Sequence, residues 1–148
     1  MIYIGADHAG YKQKEKIKKY FDKKGISYSD MGAESYNKED DYPDYAKLVA
    51  NKVAKSRDTR GILVCGAANG MAIAANKISG IRAAVAWDKN SAIASVKDDH
   101  ANILCLAGRN LSSRKIMKII KIWLKTETSK AKRHLRRVKK VNQLEKSN

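Results

Sequence analysis

Long apolar runs are missing from this chain of 148 residues. No stretch approaches the ~20 residues that cross a bilayer, so no membrane partner is expected. Cysteine is scarce, with only Cys65 and Cys105, which argues against a structural disulfide and for a reducing, cytoplasmic setting. The opening MIYIGADHAG carries an acid and no basic segment, so no signal peptide is expected. No GxGxxG follows the first apolar run and no Walker lysine motif occurs, which speaks against a nucleotide-binding enzyme. Zinc-finger and RNP signatures are absent, and the His and Cys residues lack metal-ligand spacing, so neither a metal nor nucleic acid is an expected partner. Acidic residues are few, 15 against 31 Lys and Arg, giving a formal charge of +16.

That imbalance is concentrated at one end. From Arg114 to Asn148 thirteen Lys and Arg stand against Glu127 and Glu145, a net +11, and the rest of the chain holds only +5. A basic segment of this kind can meet nucleic acid, an anionic membrane surface or phosphorylated metabolites. The simpler expectation for most of the lysines is a solvated face on the last helices.

The chain is long enough for a real core and 43% apolar, so one domain over residues 1–148 is expected. Short apolar runs alternate with amphipathic ones. Strands are expected at Met1–Gly5, Ile26–Met31, Ile62–Cys65, Ile81–Trp87 and Asn102–Ala107. Helices are expected at Tyr11–Lys24, stopped by Gly25, at Asp44–Ser56 just after Pro43, and at Gly70–Lys77 and Asn90–Lys97. Two more follow, from Ser112 to about Lys125 and from about Ala131 to Glu145, the last strongly basic. This alternation implies an α/β fold, a doubly wound, Rossmann-like five-stranded parallel sheet with helices on both faces and a C-terminal basic helix. The loops after strands one, three and five would then gather on one edge, where such sheets bind ligands. The last helix, beyond the fifth strand, is free to reach a partner subunit.

The chemistry concentrates in Gly61–Asn76, GILVCGAANGMAIAAN. A strand ends in Cys65 and opens into Gly66, Ala67, Ala68, Asn69 and Gly70 before a helix. The thiol thus meets unpaired amide donors and a helix dipole, which favour negative charge and lower a thiol pKa. The small residues let backbone N–H groups approach an oxyanion. Cys105, inside NILCLAG, is expected in the core. Asp7 and His8 follow the first strand on the same edge as Cys65, suited to gripping hydroxyls or phosphate. Arg109, Arg133, His134 and Arg137 are candidate anion binders, and Arg133 and Arg137, four apart, share a helical face.

With GADHAGYKQKE at the start, DYPDYA at Asp41–Ala46, CGAANGMAIAANKISGIRAA, ANILCLAGR and RHLRRV in order, the chain resembles the ribose-5-phosphate isomerase B family. That family also includes the galactose-6-phosphate isomerase subunits. The resemblance runs from Met1 to about Val141. It implies an aldose–ketose isomerase of phosphorylated sugars that needs no cofactor and no metal and works as a homodimer or homotetramer. By that resemblance Cys65 is the base that moves a proton between C1 and C2 through a cis-enediolate, and the backbone of residues 66–70 holds the oxyanion. Asp7 and His8 would contact the sugar hydroxyls and phosphate region and Tyr42 would line the site, while Arg109, Arg133 and Arg137 bind phosphate, the last two across a dimer interface.

Two positions depart from the family pattern. Where the family usually reads Cys-Gly-Thr-Gly, this chain has Cys65-Gly66-Ala67-Ala68. A hydroxyl is missing, and a methyl restricts the turn wherever residue 68 needs positive φ. The family's His-Asn-Asp-Ala-Asn stretch is Asp98-Asp99-His100-Ala101-Asn102 here. The histidine linked to opening the sugar ring thus becomes Asp98, with Asp99 beside it and His100 two residues away as a replacement acid–base group. Three outcomes follow from the resemblance: a ribose-5-phosphate isomerase, an isomerase of allose or galactose 6-phosphate, or a weak family member that binds polyanions through its basic tail.

Overall fold

Apolar strands and amphipathic helices alternate as β1 (Ile2–Ala6), α1 (His8–Lys24), β2 (Tyr28–Asp30), α2 (Tyr42–Val53), β3 (Arg60–Cys65), α3 (Asn69–Ala75), β4 (Ala83–Val85), α4 (Lys89–Lys97), β5 (Ile103–Ala107), α5 (Ser113–Lys125) and α6 (Lys132–Leu144). The computed structural model describes residues 1–145; residues 146–148 of the expected domain lie outside the described residues. All five strands run parallel in the order β2-β1-β3-β5-β4. Steps one way across the sheet pass through α1 and α4, and steps the other way through α2 and α3. Every crossover therefore has the same hand, and the helices divide between the two faces.

The inner strands are apolar because both their faces are covered. Ile4, Ile62, Val64, Leu104 and Leu106 pack against Ile17, Phe21, Val96, Ile116, Ile120 and Trp123 of α1, α4 and α5. The alternate residues Leu63, Cys65, Ile103 and Cys105 face Val49, Val53, Met71 and Ala75 of α2 and α3. Each large aliphatic buried this way contributes about 1.5–3 kcal/mol. Cys105 is fully buried in this second core. No described helix is long and apolar enough to cross a membrane.

Boundaries differ from the sequence expectation where side chains intervene. Helix α1 starts at His8 rather than Tyr11 because the Asp7 carboxylate caps it, accepting the Gly10 N–H at 2.9 Å. Strand β4 is three residues, not seven. Before it, Asn102 holds the Arg82 N–H and the Gly80 carbonyl, and Asn76 brackets Ala83. After it, Asp88 and Ser91 form a capping box that opens α4. Gly25 stops α1 in the left-handed conformation, φ 63°.

A buried lysine was not legible in the pattern of α1. Lys14 is fully buried, 2.6 Å from Asp30 Oδ2 and 3.2 Å from Glu15, and Lys18 reaches the same Asp30 oxygen at 2.7 Å. Burial pushes the Asp30 carboxyl up, but hydrogen bonds from Lys14, Lys18 and the Gly32 amide outweigh it and hold it below its ordinary value. A carboxylate held low stabilises the fold above its unfolded pKa and ceases to do so as pH falls through the folded value. Lys14→Met leaves Asp30 with the partly exposed Lys18 and the Gly32 amide, so urea unfolding at pH 7 should show a loss of about 2 kcal/mol. The difference from the parent protein should shrink below about pH 4; a variant as stable as the parent at pH 7 would remove the pair from the fold's support.

Candidate active site

Parallel strands carry their C-terminal loops to one edge, and the candidate site stands where β1, β3 and β5 end. Cys65 closes β3 and is 4% exposed. Main-chain pairing continues past the strands: the Gly108 N–H donates to the Cys65 carbonyl at 2.7 Å, and the Arg109 N–H to the Gly66 carbonyl at 3.1 Å. The β5 loop is thereby laid along the turn after the thiol. Arg109 covers Gly66 so closely that a Cβ there would stand 3.2 Å from its Nη1. Tyr42, at the start of α2, lies on Gly70, where a Cβ would fall 2.7 Å from the ring. A side chain larger than hydrogen at either glycine would displace a residue of the site.

The turn is strained where the sequence suggested. Ala68 has φ 69° and ψ −29°, left-handed for a residue with a methyl group, at a cost of about 1–2 kcal/mol. In that conformation the amides of Met71, Ala68 and Ala67 favour negative charge on the Cys65 sulfur. They do not prevail over desolvation. Burial pushes the Cys65 thiol up, Asp7 adds to the rise, and the three amides only partly oppose them, so the thiol stands above its ordinary value. The lowered thiol expected from sequence is therefore corrected: the free site holds Cys65 as SH, in surroundings that supply donors to the anion.

Asp7 is 5% exposed. Burial raises its carboxyl, against the Gly10 amide and His8, with Asp40 adding to the rise. His8, in the first turn of α1, has its Nδ1 2.7 Å from Asp40 Oδ1, and its own N–H donates to the same oxygen at 3.0 Å. Tyr36 meets the ring edge-on at 6.2 Å. Asp40 is the residue sequence reasoning missed. Thirty-two positions separate it from His8, and in the run Glu39-Asp40-Asp41 nothing distinguishes it from its neighbours.

The remaining candidates sit on the opposite edge of the same sheet. Asp98, Asp99 and His100 lie between the end of α4 and the start of β5, at the strands' N-terminal ends, whereas Cys65 stands at their C-terminal ends. His100 is left-handed, φ 53°, and its N–H bonds the Val96 carbonyl, so its backbone ends α4. Its Nε2 lies 3.1 Å from the Ser129 carbonyl. Helix α6 folds onto this edge: Glu145 accepts from Ser79 Oγ at 2.8 Å and the Gly80 N–H at 2.9 Å, and Arg82 donates to Asn142 at 3.3 Å. Buried His134 accepts the Arg133 Nε–H on its Nε2 at 3.1 Å, which requires the ring proton on Nδ1, 3.5 Å from Asp98 Oδ1. Arg133's two terminal nitrogens are left free of that bond, and Arg133 and Arg137 are both exposed. One chain thus carries a thiol cluster with Arg109 on one edge and an Asp98, Arg133 and Arg137 cluster on the other. Among the described residues no three or more His, Cys, Asp or Glu side chains group as metal ligands.

The chain as a whole has counterparts in known proteins. A sequence model described as Ribose/Galactose Isomerase matches residues 2–141. The chain is 35% identical over 137 residues to the ribose-5-phosphate isomerase B of Mycobacterium tuberculosis, covering 93% of this chain and 85% of that protein. It superposes with TM-score 0.94 on the crystal structure of ribose-5-phosphate isomerase B from Mycoplasma genitalium with bound ribulose-5-phosphate, at 37% identity over 99% of this chain and 97% of that one. The Clostridium thermocellum ribose-5-phosphate isomerase B structure agrees as well, with TM-score 0.92, 41% identity and coverage of 99% and 97%. At that level of agreement in both sequence and backbone, with nearly the whole chain matched, this protein belongs to the ribose/galactose isomerase family.

Proposed function

We propose that this chain interconverts ribose 5-phosphate and ribulose 5-phosphate as a cofactor-free aldose–ketose isomerase. The observation that carries the reading is Cys65, buried at the head of an amide-lined turn with Arg109 laid across it. A C–H proton next to a carbonyl is weakly acidic, so its removal needs a positioned base and a stabilised enediolate. In this reading the Cys65 thiolate takes the C2 proton of the open aldose and returns it to C1. The amides of residues 66–70 hold the enediolate oxygens, each such donor being worth about 3 kcal/mol. Asp7, His8 and Tyr42 contact the sugar, and the arginines bind the phosphate, which supplies binding energy away from the reacting carbons.

The split between the sheet edges supports a homodimer in which each site combines the Cys65 cluster of one chain with Asp98, Asp99, His100, Arg133 and Arg137 of the other. A groove of about 700 Å³ runs between α6 and the β4 edge, lined by Ile81, Ala83, Val138, Val141 and Leu144 among others. It offers an apolar seat for a second copy. A tetramer of two such dimers is compatible with the same contacts.

Purified protein should isomerise ribose 5-phosphate, and Cys65→Ala should lose about 10³-fold in kcat with the fold intact by circular dichroism. Turnover of only allose or galactose 6-phosphate would move the substrate to a six-carbon sugar. Retained activity in Cys65→Ala would remove the thiol from the chemistry. Because the thiol is held high, kcat/KM should keep rising with pH through and above the ordinary thiol range; a plateau already reached at pH 7 would contradict a Cys65 base. Mixing inactive Cys65→Ala and Arg137→Ala chains under subunit exchange should restore roughly a quarter of the parental activity, since one site of each mixed dimer is intact. No recovery, with exchange verified by mass spectrometry, would leave the two clusters functionally separate.

A further inference from the structure

A second concavity lies at the end of the sheet away from Cys65. Helices α1 and α5 pack on the same sheet face, and a pocket of about 560 Å³ opens between their last turns and the start of β1. That volume is within the range of small-ligand sites, about 300–1,000 Å³. Its floor is apolar, made by Ile2, Tyr20, Ile26 and Leu124, partly buried side chains packed on the edge of the first core. Its rim is cationic. Lys24 comes from the last turn of α1, and Lys121 and Lys125, four apart on one face of α5, stand opposite, all three exposed. Among the described residues none of the three has an ion pair. Asp22, the acid of α1's last turns, instead accepts the Tyr28 hydroxyl at 3.0 Å.

Two helix C-termini would ordinarily repel an anion, because their last carbonyls carry partial negative charge. Here those carbonyls are engaged. At the end of α1 the Gly25 N–H donates to the Asp22 carbonyl at 3.2 Å and the Ile26 N–H to the Phe21 carbonyl at 3.0 Å. At the end of α5 the Arg60 guanidinium donates to the carbonyls of Trp123 at 2.9 Å, Leu124 at 3.4 Å and Thr126 at 3.4 Å, and lies 4.9 Å over the Trp123 ring. A fixed cation thus replaces the negative end of α5. The same bonds hold Ile26 and Leu124 in the floor, so the pocket is formed without a ligand and binding costs little ordering.

We propose that this pocket binds a free amphipathic anion, a single acyl chain ending in a carboxylate. The chain lies on Ile2, Tyr20, Ile26 and Leu124, and the head meets Lys24, Lys121 and Lys125. Charge complementarity selects the head, since three unpaired ammonium groups converge on one opening. The depth of the groups selects a free molecule over a bilayer. A membrane-binding surface pushes its apolar side chains outward, whereas here they form the floor and the lysines stand outside them. A sugar phosphate, hydroxylated along its length, offers the floor no apolar surface. The pocket also lies on the β1 side of the sheet, away from the groove along β4. It is therefore independent of the isomerase reading and of the second copy.

Decanoate, kept monomeric, is the probe. Titrated into methyl-labelled protein, it should shift the methyl resonances of Ile2, Ile26 and Leu124 saturably and leave those of Val138, Val141 and Leu144 in place. Hexanoate, four methylenes shorter, should bind at least about 10-fold more weakly. The Lys121→Glu, Lys125→Glu double variant, altered only at exposed positions, should weaken decanoate about 10-fold, and uncharged 1-decanol should bind parent and variant alike. An unchanged affinity in the double variant, equal binding of hexanoate, or shifts spread over the molecule would overturn the proposal. Binding to anionic phospholipid vesicles without binding to decanoate would give the surface to a membrane, and shifts of the same methyls with protein concentration alone would give it to a second copy; either result overturns the assignment. The measurement needs no turnover, so its outcome stands whether or not the protein isomerises ribose 5-phosphate.

Discussion

The parallel pairing of β1, β3 and β5 is the constraint on which everything else in this molecule depends. Their main-chain register, from Ile2 opposite Arg60 to Cys65 opposite Ala107, points all the C-terminal ends the same way. Asp7, Cys65 and Arg109 come from distant parts of the sequence and meet only because each follows the end of a parallel strand. The same register sends the returning loops to the far edge, so Asp98 and the arginines of α6 cannot join Cys65 within one chain. The covalent order of the chain therefore builds two separate clusters, and the fold's directionality is the physical argument behind the proposed second copy.

Desolvation governs the chemistry of the thiol cluster. Burial is the largest influence on both Cys65 and Asp7, and it raises both. A dry pocket disfavours the charged forms of its acids while strengthening every dipole aimed at charge that develops later. The amides of Ala67, Ala68 and Met71 are such dipoles, held in place by a left-handed Ala68 that costs stability to maintain. The contrast with Asp30 is instructive. There, too, burial pushes the carboxyl up, but two lysines within hydrogen-bond distance reverse the outcome. Similar burial prevails for the carboxyl beside the thiol and is outweighed for the one under α1, because only the second has two lysines to hand.

What sequence made legible follows from the range of the interactions involved. The alternation of strands and helices, the stop at Gly25, the cap at Ser112 and the thiol turn all rest on neighbours within a few residues, and each is found. The methyl at Ala68 was readable as a strain for the same reason. Features that depend on distant partners were not readable. Lys14 sits on α1 among lysines that face solvent, and only Asp30, sixteen residues on, makes its burial tolerable. Asp40 is indistinguishable from the adjacent acids until His8 is brought against it. The thiol's net direction depended on depth of burial, which periodicity does not quantify; the donors were foreseen and the desolvation was not.

The basic C-terminal segment is best understood from what interrupts its charge. A solvated Lys-rich helix needs no large apolar side chains, yet Leu135, Val141 and Leu144 of α6 are exposed among Arg136, Arg137, Lys139 and Lys140. His134, turned inward, holds Arg133 by its Nε and leaves the outer edge of that guanidinium open. A surface for nucleic acid would present its cations without an apolar floor, and a membrane-binding helix would leave its apolar stripe free of its own sheet. Here part of the stripe, Val138, Val141 and Leu144, lines the groove along β4. Apolar anchors beside arginines whose forks are free match a protein surface that receives a second chain and a phosphate together. On that argument the charge of this segment divides. In the proposed reading the arginines would hold the substrate phosphate, while the lysines around them set charge beside the exposed leucines and valines.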